Sequence, residues 1–492
     1  MKILLRIVLL MLVYYTLRAT TFTEFYVQTT GDNLNAGSTT DNAATVTYSG
    51  GSWVAASGIF YPTNGNPIVD TALGQWASIY TQSGATVATF IGRITGTNAT
   101  SLTVDLSAIA GSAAAPSATT NACQCKVGGA WKGPNAAVGF PFNFATATLT
   151  NASGNVPRVN FKSGVTYAIT AAMTASLAGP IIWRGYTSAP GDDGRATIDG
   201  GNPATAFTLL NLSGTDQRVE QFIFSNSGQS GGTGHAMNIS GGRYVINRVV
   251  AHNIYLCGFY VSATFGELVE CEAYGCGVKT GGYSAFAPGV GCTLLRCISH
   301  DNTGASGTGF ATANGCTFIN CISESNAASG ISVQSTGVAI IGCDLYNNAT
   351  SGVDIGLATV SNVIIENCNF IKNGAYGIDS SGSAIRQGII RNCGFGTGTQ
   401  KNGVADLGPN ITGIQSGIVV SDSISYGANL TPWVDPANGD FRLNLAGAKG
   451  TGRGSFTQTQ AAYAGTAAYP DVGAAQHLES AATGGGSYPF AQ

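Results

Sequence analysis

One phrase returns four times along this chain: LRCISHDN (Leu295–Asn302), INCISESN (Ile319–Asn326), IGCDLYNN (Ile341–Asn348) and IENCNFIKN (Ile365–Asn373). Each copy carries a cysteine, and an asparagine follows that cysteine after five residues. The cysteine column extends beyond the four copies and contains Cys271, Cys297, Cys321, Cys343, Cys368 and Cys393. Its intervals are 26, 24, 22, 25 and 25 residues. A repeat of this length is typical of a solenoid, in which each repeat forms one coil that stacks on the next.

The residue types within each repeat predict strands rather than helices. Apolar residues alternate in twos or form short runs, as in Gly330–Val333 and Gly352–Ile355, and show no helical spacing. Asn and Gly close these runs, and both tolerate the left-handed backbone of a corner. Because stacked coils pair in parallel about 4.8 Å apart, equivalent side chains form ladders. We therefore predict an all-β chain: a right-handed, single-stranded parallel β-helix with a small N-terminal β insertion, an inward cysteine column and an asparagine ladder at one corner.

The period and the Cys and Asn columns resemble those of the pectate-lyase-like superfamily, which includes bacteriophage tailspikes and many secreted bacterial proteins. Polysaccharide lyases of this family remove a proton beside a uronate with Arg or Lys, and carboxylates hold their Ca²⁺. Its hydrolases use clustered Asp residues as acid and base. The resemblance covers most of residues 125–476 as a scaffold, and it does not reach a family active site.

The N-terminus predicts an exported protein. Lys2 and Arg6 precede the apolar run Ile7–Leu17, as in a signal peptide. This run is too short to span a bilayer, and no other stretch is a candidate, so no membrane span is expected after removal of the leader. Leu17 stands where a small residue is preferred for cleavage, so retention as an uncleaved anchor stays open. We expect a secreted or cell-surface location.

Composition and pattern divide the chain into seven segments. They are a signal peptide (1–19), an N-terminal strand and loop (20–44), an inserted small β domain (45–120), a cap (121–157), the parallel β-helix (158–430), a closing segment (431–476) and a mobile tail (477–492). Glycine makes up 69 of 492 residues and charged residues only 10%, which fits corner-rich coils with polar surfaces. A net charge of −3 offers no basic surface, so nucleic acid is not an expected partner.

Twelve cysteines in an exported chain raise the question of disulfides. Side chains stacked in one inward column point in parallel rather than at each other, so we predict reduced, buried thiols there. Cys123 and Cys125 lie outside the column, in a segment interpreted as a loop, and are expected to be exposed or oxidised. The four histidines show no ligand spacing to a cysteine pair, which argues against zinc.

Two aspartates are candidate catalytic and metal-binding residues. Asp354 and Asp379 each lie eleven residues after a column cysteine, which predicts adjacent positions on the outer face of neighbouring coils. Like charges one strand apart raise a pKa, bind a cation, or repel in water. Two solvated aspartates beside a corner would give the same pattern.

His300 and Trp131 are the other candidates. His300 beside Asp301, with Glu324 one repeat later, is a candidate acid–base pair. Neighbouring residues on a strand face opposite ways, however, which favours a solvated corner. Trp131 stands between Gly and Pro turns, where an aromatic cap over the end of the solenoid and a sugar-stacking platform are both compatible with the sequence.

The sequence leaves three functions open. The first is an exported, non-catalytic β-helix whose polar face binds a polysaccharide, a cell-surface glycan or another surface protein. The leader and the small number of candidate catalytic carboxylates favour it. The second is a polysaccharide lyase or glycoside hydrolase centred on Asp354 and Asp379, with Ca²⁺ if it is a lyase and no cofactor otherwise. The third is a tailspike-like virion protein, trimeric along the helix, against which the leader counts. Fold alone does not decide between enzyme and binding protein.

Overall fold

The computed structural model describes residues 22–28, 46–54, 56–63, 76–83, 86–98, 100–111, 120–127, 131–132, 156–175, 179–231, 233–278, 283–304, 307–356, 360–380, 387–397, 411–412, 418–421, 424–428, 433–435 and 440–443. Within these ranges the secondary structure is β throughout, without a helix, and stacked parallel strands form a solenoid of about nine turns. This part of the chain accordingly has no helix with the length and hydropathy that a membrane span requires. The predicted signal peptide (1–19) and tail (477–492) lie outside the described residues.

The chain divides into two compact units, Met1–Ile198 with Leu212–Phe222, and Asp199–Asn211 with Ile223–Gln492. The first unit contains a closed antiparallel barrel within the stretch predicted to form a small β domain. Its last strand extends past residue 120, into the predicted cap. The strands of the barrel are Val46–Val54, Ile59–Pro62, Trp76–Ser83, Thr86–Asn98, Ser101–Gly111 and Thr120–Val127.

Both cysteines of the barrel lie on its last strand. Cys123 and Cys125 are separated by one residue, so they face the same side and pack with Trp53, Phe60 and Ile79 in the barrel core. Both are buried and free. The expectation that they are exposed or oxidised is therefore wrong, because the supposed loop is a strand. Burial raises the pKa of Cys123 to about 11, which keeps this thiol protonated at neutral pH.

The first coils also belong to the first unit. Parallel strands follow one another in the sheet in the order Trp131–Lys132, Phe22–Gln28, Val156–Lys162, Ile181–Tyr186 and Gln217–Glu220. Short strands at Thr166–Ala168, Met173–Ala175 and Ala196–Asp199 complete these coils. The buried Tyr167 hydroxyl donates 3.0 Å hydrogen bonds to the carbonyls of Val27 and Lys162, which ties the N-terminal strand to the coil beside it.

The second unit contains the regular array, in which each coil contributes one short strand to each of three parallel sheets. We name these sheets the first, second and third face. The first face contains Tyr244–Asn247, Glu267–Val269, Thr293–Leu295, Thr317–Ile319, Ala339–Ile341, Val363–Glu366, Gly388–Arg391 and Ile418–Ser421. The second contains Phe222–Ser225, Val250–His252, Glu272–Tyr274, Ile298–His300, Ile322–Glu324, Asp344–Tyr346, Asn369–Ile371, Gly394–Thr397 and Ile424–Ala428. The third contains Leu210–Leu212, Met237–Ile239, Phe259–Val261, Ser284–Ala287, Thr308–Ala311, Ile331–Val333, Val353–Ile355, Ile378–Asp379 and Ile411–Thr412. An antiparallel pair, Trp433–Asp435 with Asp440–Leu443, lies in the predicted closing segment.

The cysteine column lies inside the coils, as predicted. Its thiols are free and at most 1% exposed. They donate weak hydrogen bonds to carbonyls of the preceding coil, such as Cys297 Sγ to Leu268 O at 3.4 Å. A second inward ladder consists of Phe259, Phe286 and Phe310, whose rings stack with centroids 4.7 and 4.8 Å apart. This is the spacing of paired strands, so side chains in register meet at van der Waals contact.

The asparagine ladder is also confirmed. Asn302 Nδ2 donates to Asn326 Oδ1 at 2.6 Å, Asn326 Nδ2 to Asn348 Oδ1 at 2.9 Å, and Asn348 Nδ2 to Asn373 Oδ1 at 3.0 Å. All four side chains are at most 1% exposed. The residue before each of them has a left-handed backbone, with φ between 49° and 55°. This corner turns the asparagine inward, where its amide satisfies polar groups that water cannot reach.

Candidate functional site

A row of aromatic and ionisable side chains runs along the outside of the second face. Successive coils place His252, Tyr274, His300, Glu324 and Tyr346 in register, and we call this row the second-face column. Each residue is the last of a three-residue strand whose middle residue is buried. Strand alternation therefore turns the column away from the core, although Tyr346 at its end is only 5% exposed.

The rings at the start of this column stack on each other. The centroids of His252 and Tyr274 are 5.1 Å apart with an interplanar angle of 7°, and those of Tyr274 and His300 are 4.9 Å apart at 18°. Because the ring faces cover one another, the column presents the ring edges to solvent. These edges carry imidazole nitrogens and a phenol hydroxyl, which are hydrogen-bonding groups held in fixed positions.

His300 is held between two carboxylates. Its Nε2 lies 3.0 Å from Glu272 Oε1, on the preceding coil, and its Nδ1 lies 2.9 Å from Asp301 Oδ2. The expectation that His300 and Asp301 face opposite ways is wrong. Asp301 follows the strand with φ 51°, and this left-handed turn directs its carboxylate back to the imidazole.

The electrostatics of this cluster favour groups that titrate near neutrality. Burial alone would lower the pKa of His300, but its hydrogen bonds to Glu272 and Asp301 outweigh burial and raise that pKa. Burial raises the pKa of Glu324 to about 7, with an opposing effect from His300 and a supporting one from Asp301. At neutral pH, Glu324 is therefore able both to donate and to accept a proton.

Glu324 is the residue of this cluster to which the sequence analysis gave too little weight. Glu324 and His300 each lie three residues after a column cysteine, so the period alone places them on adjacent strands of one face. The raised pKa of Glu324 depends on burial, which a single sequence does not reveal.

The two aspartates come together on the third face. Asp354 and Asp379 are register partners on adjacent strands, and Ser332 precedes them in the same outward column. The predicted adjacency is thus confirmed. Burial raises the pKa of Asp354, and the charge of Asp379 raises it further. Within the described ranges, no group of three or more His, Cys, Asp or Glu side chains could hold a metal ion. Catalytic or metal-binding roles for these residues stay predictions.

Trp131 belongs to the first unit, where its strand pairs with Phe22–Gln28 at the end of the sheet. The cap and the sugar-stacking platform both stay predictions for Trp131. The first unit also carries ion pairs that the sequence analysis did not single out. Arg158 contacts Glu24 at 2.8 Å and Arg184 contacts Glu220 at 2.6 Å, so these charges stabilise neighbouring strands.

Comparison with known proteins identifies the fold. Residues 288–430 match the family model described as a right handed beta helix region. No curated protein matches the sequence. Among solved structures, the pectate lyase Pel9A is 15% identical, with 65% of this chain and 88% of that chain covered and a TM-score of 0.39. The periplasmic alginate epimerase AlgG is 12% identical, with 55% and 78% covered and a TM-score of 0.31. Tailspike protein 3 of bacteriophage CBA120 is 10% identical, with 56% and 57% covered and a TM-score of 0.26.

At such identities the likeness to these structures concerns the fold alone, and it assigns no activity to this chain. The family match lies within the array of cysteine-bearing coils, where the parallel strands of the three faces stack in register. With the all-β architecture and the stacked turns, it makes this chain a right-handed parallel β-helix protein.

Proposed function

We propose that this protein is an exported, non-catalytic β-helix that binds a polysaccharide along its second face. The observation that carries the proposal is the second-face column, in which stacked rings fix a row of polar edges at one step per coil. A polysaccharide presents its hydroxyl groups at regular steps as well. A repeating ligand on a repeating surface makes the same kind of contact several times, so weak hydrogen bonds add up.

Preorganisation supports the same conclusion. The ring of Tyr274 is held on both sides, by His252 and by His300, and His300 is itself fixed by two carboxylates. These side chains lose little conformational freedom when a ligand binds, which lowers the entropic cost of association. The accessible part of the column ends at Glu324, because the ring of Tyr346 is buried, with Lys372 Nζ 5.6 Å from its centroid.

One observation favours a second function, glycoside hydrolysis. Glu324 has a pKa of about 7, so it could protonate a glycosidic oxygen as the bond to the anomeric carbon breaks. A carboxylate would then take a proton from the attacking water. Glu272 lies two strands away, on the other side of His300, and two residues earlier along its strand, which separates the two backbone positions by about 12 Å at the usual strand spacing and rise. Inverting glycosidases separate their two carboxyl groups by about 6.5–9.5 Å, a distance that the two side chains reach only by leaning toward His300, as Glu272 does.

A single experiment separates these functions. The purified protein is titrated against a panel of neutral and acidic polysaccharides, and the same mixtures are assayed for reducing ends and unsaturated products. We expect saturable binding without products. Tyr274→Ala removes the central ring of the stack and should weaken binding about tenfold, or by about 1.4 kcal/mol. The control Asp354→Asn, on the third face, should bind as the wild type does.

Three outcomes would contradict binding without catalysis at the second face. Equal affinities for Tyr274→Ala and the wild type would remove the second-face column as the contact surface. Release of reducing ends that is lost in Glu324→Gln, with binding retained, would establish the hydrolase instead. Unsaturated products that require Ca²⁺ and are lost in Asp354→Asn would establish the lyase centred on the third face.

A further inference from the structure

One bulky side chain adopts a left-handed backbone conformation at a corner where the next three coils have glycine and the fourth has Asn362. Phe265 lies at the corner between the third and first faces with φ 57°, a left-handed value that sterically disfavours a large residue. The equivalent corner residues on the next three coils are Gly291, Gly315 and Gly337, with φ of 69°, 71° and 72°. The equivalence follows from the main chain. Each corner N–H donates to the carbonyl just before the next corner residue, as Phe265 N does to Val290 O at 2.9 Å.

Neither local conformation nor burial accounts for phenylalanine at this position. The fold needs a left-handed residue there, and glycine supplies it on the following coils without strain. Burial offers no compensation, since Phe265 is 68% exposed, more than any other large hydrophobic residue in the described part of the chain. A strained residue that also exposes a large apolar surface is better explained by a contact with something outside the coil.

The ring of Phe265 is held against the next coil. A Cβ atom placed on Gly291 would lie 2.7 Å from Phe265 Cδ1 and 2.8 Å from Cε1, so the ring rests directly on the bare backbone of the next coil. Glycine at that position therefore makes room for the ring. The other corner glycines continue the floor, and the result is a flat aromatic surface beside a shallow strip without side chains.

Polar groups border this surface on the side of the first face. Glu267, Thr293 and Thr317 are register partners in one outward column, two residues after the corner residues of their coils. Glu267 is exposed, and both threonines are partly exposed. On the other side, Asn314 Oδ1 accepts hydrogen bonds from Thr336 N at 3.2 Å and Oγ1 at 3.4 Å.

We propose that Phe265 is the platform of a second carbohydrate site, which binds a neutral hexopyranose unit. Such a sugar has an apolar face of C–H groups that packs on an aromatic ring, and a rim of hydroxyl groups that donate and accept hydrogen bonds. Glu267 and Thr293 stand where they would bond that rim. A protein partner fits less well, because a stable protein interface buries more than about 1,000 Å² with several apolar anchors, and here one ring stands alone.

The site lies apart from the second-face column and does not depend on it. The test uses cellotetraose, laminaritetraose and mannotetraose with the full chain, by saturation-transfer difference NMR and calorimetric titration. The key variant is Phe265→Gly, which copies the residue of the next coils. It should reduce the affinity for the sugar that binds the wild type by about tenfold or more, without lowering Tm, since the glycine removes the strain. Phe265→Tyr keeps the platform and should retain binding.

Several results would overturn the proposal. They are an absence of binding of all three sugars by the wild type, equal affinity in Phe265→Gly, or a loss of affinity in that variant accompanied by a lower Tm. Tyr61→Ala serves as the matched control, because it removes an exposed ring from the barrel of the first unit and should leave this site intact. Failure of the second-face proposal would appear in Tyr274→Ala with polysaccharides, and failure of this one in Phe265→Gly with tetrasaccharides.

Discussion

At the scale of single residues, left-handed corner positions decide which side chains meet on the surface of the coils. Asp301 reaches His300 only because its backbone turns back after the strand, and Arg296 reaches Glu270 at 2.5 Å from another such corner. Both corners precede an inward residue of the repeat, Cys297 or Asn302. Folding of the interior thus fixes the charged pairs on the exterior, which gives the candidate site a rigid support.

The His300 cluster predicts that the protein is more stable in mild acid than in mild base. The folded-state pKa of Glu324 is raised from 4.5 to about 7, and that of His300 is raised above 6.5. A raised pKa contributes stability that is complete below the unfolded-state value and is lost as pH rises through the folded-state value. As the pH rises from 4.5 to about 7, Glu324 should therefore lower the free energy of unfolding progressively. His300 should lower it further above pH 6.5. Because Glu324 is partly exposed, we expect its share to be on the order of 1 kcal/mol.

Thermal unfolding between about pH 5 and about pH 8 checks this linkage. Tm should fall with rising pH in the wild type. Glu324→Gln imitates the protonated side chain and should flatten the part of the curve that belongs to Glu324. An identical slope in the variant would show that Glu324 has an ordinary pKa and would weaken the case for hydrolysis.

At the scale of elements, we expect a substitution in the asparagine ladder to lower the free energy of unfolding more than a substitution on the outer face. Asn348 accepts from Asn326, donates to Asn373 and also donates to the Ser323 carbonyl at 3.0 Å, all without access to water. Asn348→Ala leaves donors and acceptors unpaired on both sides and should cost on the order of 1–3 kcal/mol. Asp354→Ala, a matched change on the outer face, should stay within about 0.5 kcal/mol.

Chemical unfolding of both variants, with and without Ca²⁺, provides the measurement. Small and equal losses would mean that the ladder contributes little. A large loss for Asp354→Ala that appears only with Ca²⁺ would instead show that the aspartate pair binds the ion.

Elements with a repeat could be predicted from the sequence, and those without one could not. The cysteine and asparagine columns mark equivalent positions on every coil, so the interior and one corner follow from spacing alone. The segment with Cys123 and Cys125 was interpreted as a loop, although Cys-Gln-Cys-Lys-Val alternates as a strand does. A short segment without repeats has no register that fixes its position. Phe265 escaped notice for a different reason. Each corner residue lies six residues before a column cysteine, so the spacing alone aligns Phe265 with the corner glycines, but the left-handed backbone and the exposure of the ring appear only in the structure.

At the scale of the whole molecule, the array behaves as a stack of equivalent units, in which each coil contacts the coils before and after it. All three faces keep the same order of parallel pairing along the array. On the first face, for example, Thr317–Ile319 pairs with Ala339–Ile341, which pairs in turn with Val363–Glu366. Cysteine columns and asparagine corners recur at the same step. Folding should therefore depend on whether equivalent positions stay aligned from one coil to the next, and not on the number of coils.

Removal of one complete repeat tests this view. Deletion of residues 321–342 joins Asn320 to Cys343, and it removes one strand from each face and one member from each ladder. The corner residue Asn320 already has the left-handed backbone that the new junction needs. Asn302 would then stack on Asn348, and Thr317–Ile319 on Val363–Glu366. We expect a cooperatively folded β protein with a somewhat lower Tm, measured by circular dichroism and calorimetry.

Deletion of residues 321–331, half a repeat, is the matched control. It shifts inward residues outward and brings strands of different faces into register, so it should prevent folding. If the full-repeat deletion unfolds like the half-repeat deletion, the coils are not interchangeable, and the stability of the array depends on particular neighbours rather than on its period.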